Sequence, residues 1–306
     1  MKTSYLFRLA IVALLLVFCI RGESAPFYRL VDIGTLGGDM STAYGISDNG
    51  YIAGASTLPN GENHAFLYTP GVGMVDLGTL GGSYSFAHCV NSHGQVAGLS
   101  LTSNRLFHAF LYTPGIGMAD LGTLGGPVSD PWGINNKGQV VGYTYSSGID
   151  YEQPFLYTPG VGMEPIGGLE NVPGQAHALN DSGMITGYSS ILPNGYAAFL
   201  YTEQGGTVHL GRFSGGLGSM GYAINGTGDL VGYSYTGGTG GDLYQHAFLY
   251  TSAQGMIDMG TLGGPESEAY GINNSGHIVG HSITQSGLDH AFLYTTEEGM
   301  VDLNSL

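Results

Sequence analysis

Sixteen residues, LYTPGVGMVDLGTLGG at Leu67–Gly82, return as LYTPGIGMADLGTLGG at Leu111–Gly126 and, one residue shorter, as LYTPGVGMEPIGGLE at Leu156–Glu170. A catalytic centre needs different residues at different places, so a chain that repeats itself specifies a building block. The first glycines of the GTLGG-like segments are Gly34, Gly78, Gly122, Gly167, Gly211 and Gly260, at intervals of 44, 44, 45, 44 and 49 residues. Periods of this length belong to propellers and helical arrays. Helix is excluded by the residues themselves, because Gly, Thr, Tyr and Val recur too densely for it.

Four short strands fit in one period. The first is the AYGIN class (43–47, 131–135, 269–273), followed by a turn written SDNG, NSHG, NNKG, NDSG, NGTG or NNSG. The second is QVVGY (139–143) and the third HAFLYT (64–69); a PGVG turn leads to the fourth, MVDLG (74–78). Asn and Gly in those turns supply the positive φ that tight hairpins require. In the third strand Ala65 and Leu67 point one way, Phe66 and Tyr68 the other, so both faces are apolar and both must be covered. Sheets stacked face to face around an axis provide that environment. A transmembrane barrel would need strands of about 9–11 residues, longer than these.

The expected fold is therefore all-β: one β-propeller of six four-stranded blades, about 44 residues each, over residues 25–306. The fourth-strand motif occurs a seventh time, from Leu30-Val31-Asp32 at the start to Val301-Asp302-Leu303 at the end. One terminal copy is expected to help close the ring, which removes a free sheet edge.

Residues 1–24 read as a secretory signal peptide: Lys2 and Arg8, an apolar run from Leu9 to Ile20, then small residues to Ala25. Twelve apolar residues fall short of the roughly 20 needed for a membrane span. Secretion or periplasmic residence is expected, with no membrane span after cleavage. Removing the leader leaves four basic residues (Arg29, Arg105, Lys137, Arg212) against 22 acids, a net charge of −18. That surface repels phosphate backbones and excludes nucleic acid as a partner. Cys89 is the one cysteine left, so no intramolecular disulfide forms. It stands where other repeats have Gly45, Gly133 or Ala178, and reads as a small buried residue. A monomer is expected.

The words HAFLYT, MVDLGTLGG and GINNSGHIVG resemble the HAF repeat family of extracellular bacterial proteins, over nearly all of the chain after the leader. The resemblance implies an exported β-repeat protein and supplies no catalytic residue. Repeats three to five depart from it: Gln153-Pro154 and Ala197-Ala198 replace His-Ala, and Gly211-Arg212-Phe213 breaks GTLGG.

His64, His108, His246 and His290 share one repeat position and could suggest a metal. Third strands lie away from the axis and two copies lack His, so a hydrogen bond to a neighbouring blade explains them better. Asp32, Asp76, Asp120, Asp258 and Asp302 are expected to satisfy loop amides or these histidines. The Asn-x-x-Gly turns lack the acidic ladder of a calcium loop. GTLGG has no following lysine or helix, and no HExxH, CxxC or nucleophile elbow is present. Neither metal nor cofactor is expected.

Two functions remain. One is a noncatalytic binding module for a polysaccharide or a protein. The alternative is a glycan-degrading hydrolase or lyase using Asp130, Glu170, Glu266 or Glu268, with His177 or Arg212 assisting. Either would use the face bearing the crossovers and the second-to-third-strand loops (58–63, 104–107, 146–152, 192–196, 236–245, 284–289), which vary while the opposite turns stay constant. Off-pattern side chains there are the candidate contacts. They are Tyr84 and Phe107 in repeat two; Trp132, Asp150, Tyr151 and Glu152 in repeat three; and Tyr196, Arg212, Asp242 and Tyr244 beyond. Aromatic rings beside polar groups offer contact area at low entropy cost.

Overall fold

The computed structural model describes residues 30–146, 148, 151–191, 195–237 and 243–305. It divides into two bodies, Met1–Ile33 and Gly34–Leu306. The leader read at 1–24 lies outside the described residues. Residues 30–33 of the first body carry no strand.

The second body is all-β. Repeat one contains β1 (Ser41–Ile46), β2 (Ile52–Thr57), β3 (Asn63–Thr69) and β4 (Gly73–Asp76); repeat two contains β5 (Gly81–Val90), β6 (Val96–Thr102), β7 (Phe107–Thr113) and β8 (Gly117–Asp120). Repeat three follows as β9 (Gly125–Ile134), β10 (Val140–Ser146), β11 (Glu152–Thr158) and β12 (Gly162–Pro165). Repeat four has β13 (Gly174–Leu179), β14 (Ile185–Ser190), β15 (Tyr196–Thr202) and β16 (Gly206–Gly211). Repeat five has β17 (Ser219–Ile224), β18 (Leu230–Gly237), β19 (Leu243–Thr251) and β20 (Gly255–Asp258). Repeat six has β21 (Gly263–Ile272), β22 (Ile278–Thr284), β23 (Asp289–Thr295) and β24 (Gly299–Asp302), then a short 3-10 turn, Leu303–Ser305.

Within each repeat the strands pair antiparallel in chain order. The four-strand reading of the period therefore holds, with one shift of boundary. Three first strands begin at Gly81, Gly125 and Gly263, so the second half of GTLGG opens the next repeat. Thr79 pins that crossover, its Oγ1 accepting from Gly81 N and donating to Gly82 O. β24 supplies the sixth repeat's own fourth strand, so the leading LVD copy is not needed to complete it.

The Asn-x-x-Gly turns behave as their chemistry demands. Asn135 Oδ1 accepts from the Lys137 and Gln139 amides at 3.0 Å each, and Gly138 takes φ +73°. Asparagine side chains also stitch consecutive repeats together. Asn91 Nδ2 donates to Asn135 O at 2.9 Å, Asn135 to Asn180 O at 3.1 Å, and Asn180 to Asn225 O at 2.9 Å.

The core lies between repeats. Every third strand contributes one fully buried phenylalanine: Phe66, Phe110, Phe155, Phe199, Phe248 and Phe292. Phe110 of repeat two packs backward with Ala53, Ala65, Leu67 and Leu77 of repeat one, and later repeats copy the pattern. Each repeat thus has a forward face, carrying the Ala and Leu of AFLY, and a backward face carrying its Phe. The two ends lack this cover: Val279 of repeat six is 47% exposed and Ile46 of repeat one 72%, against 0% for the equivalent Val141 and 8% for Val90.

Candidate ligand-binding opening

All six first strands share an irregularity. The register skips one residue between Ala43 and Gly45, Ala87 and Cys89, Pro131 and Gly133, Ala176 and Ala178, Gly221 and Ala223, and Ala269 and Gly271. The skipped residue is a β-bulge, which re-aims its side chain. In chain order it is Tyr44, His88, Trp132, His177, Tyr222 and Tyr270, an aromatic or imidazole ring every time. The partner strand explains why the bulge fits. Opposite it stands Gly142 in β10, and a Cβ there would collide with Asp130 O and Pro131 Cα. The glycine of QVVGY leaves room for the bulged backbone.

Five of these rings form a continuous series, each stacked on or tilted against the next. Centroid separations are 5.2 Å for His88–Trp132, 5.7 Å for Trp132–His177, 5.4 Å for His177–Tyr222 and 5.6 Å for Tyr222–Tyr270. Tyr44 joins through Phe86, at 4.4 Å from it, and Phe86 lies 4.6 Å from His88. Trp132, Gln175, His177, Tyr188, Met220, Tyr222 and Tyr270 enclose a cavity of about 530 Å³. Trp132 remains 44% exposed and Tyr270 52%, although both are engaged by neighbouring rings, Tyr270 lying parallel to His281 at 5.5 Å.

Polar groups are interleaved with the rings. His177 Nδ1 donates to Gly221 O at 2.8 Å and its Nε2 lies 3.1 Å from Gln175 Oε1. Gln175 Nε2 in turn donates to Glu152 Oε2 at 2.6 Å. Burial disfavours the imidazolium and pulls the His177 pKa down, the Gly221 hydrogen bond opposing this in part. Burial, then the Glu152 charge, pushes the Tyr188 hydroxyl up to about 12; burial and Glu268 do the same for Tyr270. Both phenols stay protonated at neutral pH and can donate. His88 Nε2 sits 3.0 Å from Asp130 Oδ1.

Of the sequence-predicted contacts, Trp132, Glu152, Tyr196 and His177 belong to this region. Trp132 lies on the first strand, as the segment 131–135 was read, and the bulge in β9 aims its ring. Tyr196 reaches Tyr233, hydroxyl to hydroxyl at 3.3 Å, and packs edge-on against Tyr188. The others go elsewhere. Tyr84 and Phe107 meet edge-on at 6.1 Å, beside the parallel bridge of Asn63 to Tyr84. Tyr151 donates its hydroxyl to Asn171 O at 2.7 Å. Arg212 donates to Leu217 O at 3.4 Å, and Tyr244 O accepts from Thr236. Asp150 and Asp242 lie outside the described residues. Tyr44, His88, Tyr222 and Tyr270 were missed, although each copy of the AYGIN segment shows its ring in the second place.

The candidate acids have separate employments. Glu170 accepts the Gly168 amide in its own turn. Asp130 faces His88, the Glu268 charge lies close enough to the Tyr270 hydroxyl to raise its pKa, and the Glu266 backbone carbonyl accepts from Ser282.

The repeated histidines correct another expectation. Each bonds within its own repeat and not to a neighbour: His64, His108, His246 and His290 hold Asp76, Asp120, Asp258 and Asp302 at 2.8–3.0 Å. The same aspartates also cap backbone amides, as Asp76 does for Gly78 at 2.8 Å. Among the described residues no group of three or more His, Cys, Asp or Glu could hold a metal. Burial pushes the Cys89 thiol up to about 12, so it stays protonated and inert. No helix of the described residues is long and apolar enough to cross a membrane.

No family model matches the chain, and no curated protein matches it. Among solved structures it is similar to the Aleuria aurantia lectin, as an asparagine-to-glutamine mutant in complex with Fucα1-6GlcNAc. That match has 12% identity over 85% of this chain and 94% of that one, with a TM-score of 0.38. The same lectin mutant with α-methyl-L-fucoside gives 13% identity, 85% and 93% coverage and a TM-score of 0.37. At those scores the likeness decides nothing about a ligand here.

Proposed function

We propose that this chain is a secreted, noncatalytic binding module whose ligand is a carbohydrate, taken at the aromatic opening. The six repeats are read as the blades of one β-propeller, and the HAF-type words as a sign of that export-associated family. One observation carries the reading: a bulge repeated six times projects six rings toward one region, and four of them line a cavity that also holds Gln175 and Tyr188. Pyranose rings present apolar C–H faces and a rim of hydroxyls. Such a ligand suits flat aromatic faces flanked by phenol, carboxamide and carboxylate groups.

A glycan array on the purified protein, followed by titration of intrinsic fluorescence, tests the reading, since Trp132 is the single tryptophan. Saturable binding that quenches or shifts Trp132 emission, with no reducing sugar released, is the expected result. Release of product would favour the glycan-cleaving alternative. Binding that survives Trp132→Ala and Tyr222→Ala unchanged would move the site elsewhere.

A further inference from the structure

The aromatic opening carries one sign of charge. Gln175 and Met220 line its cavity from the place two residues before the bulge. The same place holds Asp130 in repeat three and Glu268 in repeat six, so in chain order a carboxylate stands on either side of that pair. A third acid, Glu152 of β11, accepts from Gln175 Nε2 at 2.6 Å. A fourth, Asp289, lies 2.7 Å from Nδ1 of His281, the imidazole stacked on Tyr270.

What these acids touch decides how much charge is left for a ligand. Asp130 and Asp289 each face an imidazole, His88 and His281, whose protonated forms offset them. Glu152 and Glu268 keep neutral company. Glu152 takes the Gln175 carboxamide and, at 3.5 Å, the Tyr145 hydroxyl. Burial first, then the Glu268 charge, holds the Tyr222 and Tyr270 hydroxyls above their ordinary range, which sets that carboxylate beside two rings of the lining. Among the described residues that line the cavity there is no lysine or arginine. Lys137 belongs to an Asn-x-x-Gly turn, Arg105 to the turn between β6 and β7, and Arg212 donates to Leu217 O. A cleft lined by one sign of charge, with walls of low dielectric, concentrates its field. An anionic sugar would meet that field with no cation to receive it, and a neutral one would leave it unanswered.

We infer that the opening selects a carbohydrate with free amines, a de-N-acetylated hexosamine oligomer, and that Glu152 and Glu268 receive its ammonium groups. The inference deepens the carbohydrate reading above and rests on it. A carboxylate has about four acceptor sites, so each glutamate accepts an ammonium beside its present neighbours. Hydrogen bonds between ammonium and carboxylate are about twice as strong as neutral ones. In a hexosamine the amine sits directly on the pyranose ring. It therefore reaches a wall carboxylate while the ring lies against the exposed parts of Trp132 and Tyr270. A lysine side chain would bring the same charge on a flexible stem whose ordering costs entropy.

Titration calorimetry compares a glucosamine tetramer with its fully N-acetylated form at low salt and about pH 6.5, above the carboxylates and below an ordinary amine. The free-amine tetramer should bind at least about tenfold tighter, a preference built from ion pairs of a few-fold each. Glu268→Gln and Glu152→Gln should each cut the preference about threefold and leave the N-acetylated affinity unchanged. Glu297→Gln, exposed in the turn between β23 and β24, removes the same charge and should leave the preference alone. Melting by circular dichroism identifies the variants that fold, and either glutamine in the opening suffices. Equal or tighter binding of the N-acetylated tetramer overturns the inference and leaves the carbohydrate reading standing. An equal loss in Glu297→Gln overturns it too, by making the preference a property of total charge. Tighter binding of tetralysine than of the amine tetramer assigns the opening to a cationic peptide and overturns both readings. If neither tetramer binds, the inference fails, and the glycan array decides whether the carbohydrate reading fails with it.

Discussion

Phe110→Ala measures how far the repeats depend on one another. Phe110 is wholly buried on β7, and its neighbours include Ala53, Ala65, Leu67 and Leu77 of the preceding repeat. The hole therefore opens between repeats. Removing a fully buried phenylalanine ring costs about 3–5 kcal/mol, a transfer loss plus a cavity that neighbouring strands fill only in part. Entropy of unfolding scales with size, so in a cooperative body of this length each kcal/mol lowers the midpoint by about 2 °C. The shift should be about 6–10 °C, in a single transition, by calorimetry with far-UV circular dichroism as a second probe. Phe107→Ala, three residues earlier but 37% exposed, should shift it by no more than about 2 °C. If Phe110→Ala instead splits the transition, with most of the enthalpy still at the original temperature, the repeats melt separately. The argument that each one needs its neighbours would then be wrong.

Trp132→Ala should weaken carbohydrate binding by about 30-fold, the ~2 kcal/mol expected of a hot-spot aromatic, and titration calorimetry would show it. Gly142→Ala should destabilise by about 2–4 kcal/mol in chemical denaturation, because its methyl meets the bulged strand's backbone; Gly71→Ala, where a Cβ meets nothing, should cost less. His177 has its pKa lowered by burial, so its folded form resists protonation. Stability should hold above about pH 6.5 and decline as pH falls below it, and His177→Gln should flatten that limb in urea titrations. For Asp258, burial alone would raise the pKa, but the bonds from His246 and the Gly260 amide outweigh it and hold it low. Its contribution is present above about pH 4 and lost at lower pH, so Asp258→Asn should soften acid unfolding, read as the midpoint of a pH titration.

The fold was legible because it is written in short-range chemistry. Asn-x-x-Gly dictates its hairpin locally, and the two-sided apolar pattern of HAFLYT demands cover from both sides, as Phe155 and Ala198 now show. The site was legible only in part. Trp132 and His177 stood out by residue type, but alternation along a strand cannot reveal an inserted residue. The bulge comes from a contact between strands, the glycine at Gly142 against the carbonyl of Asp130, which no reading of β9 alone exposes. For the same reason the histidines were assigned to neighbouring repeats: the His64–Asp76 pair crosses from β3 to β4, and its direction depends on the register of Phe66 with Asp76.

The bulged residue does less for the sheet than its neighbours, since the ladder passes it by. Tyr, His or Trp can therefore stand there with the same flanking pairs on either side. Strand pairing and the character of the aromatic opening are thus written in different letters of the same word. Copying a repeat reproduces the scaffold, while one substitution per copy, at 44, 88, 132, 177, 222 or 270, alters which rings line the opening.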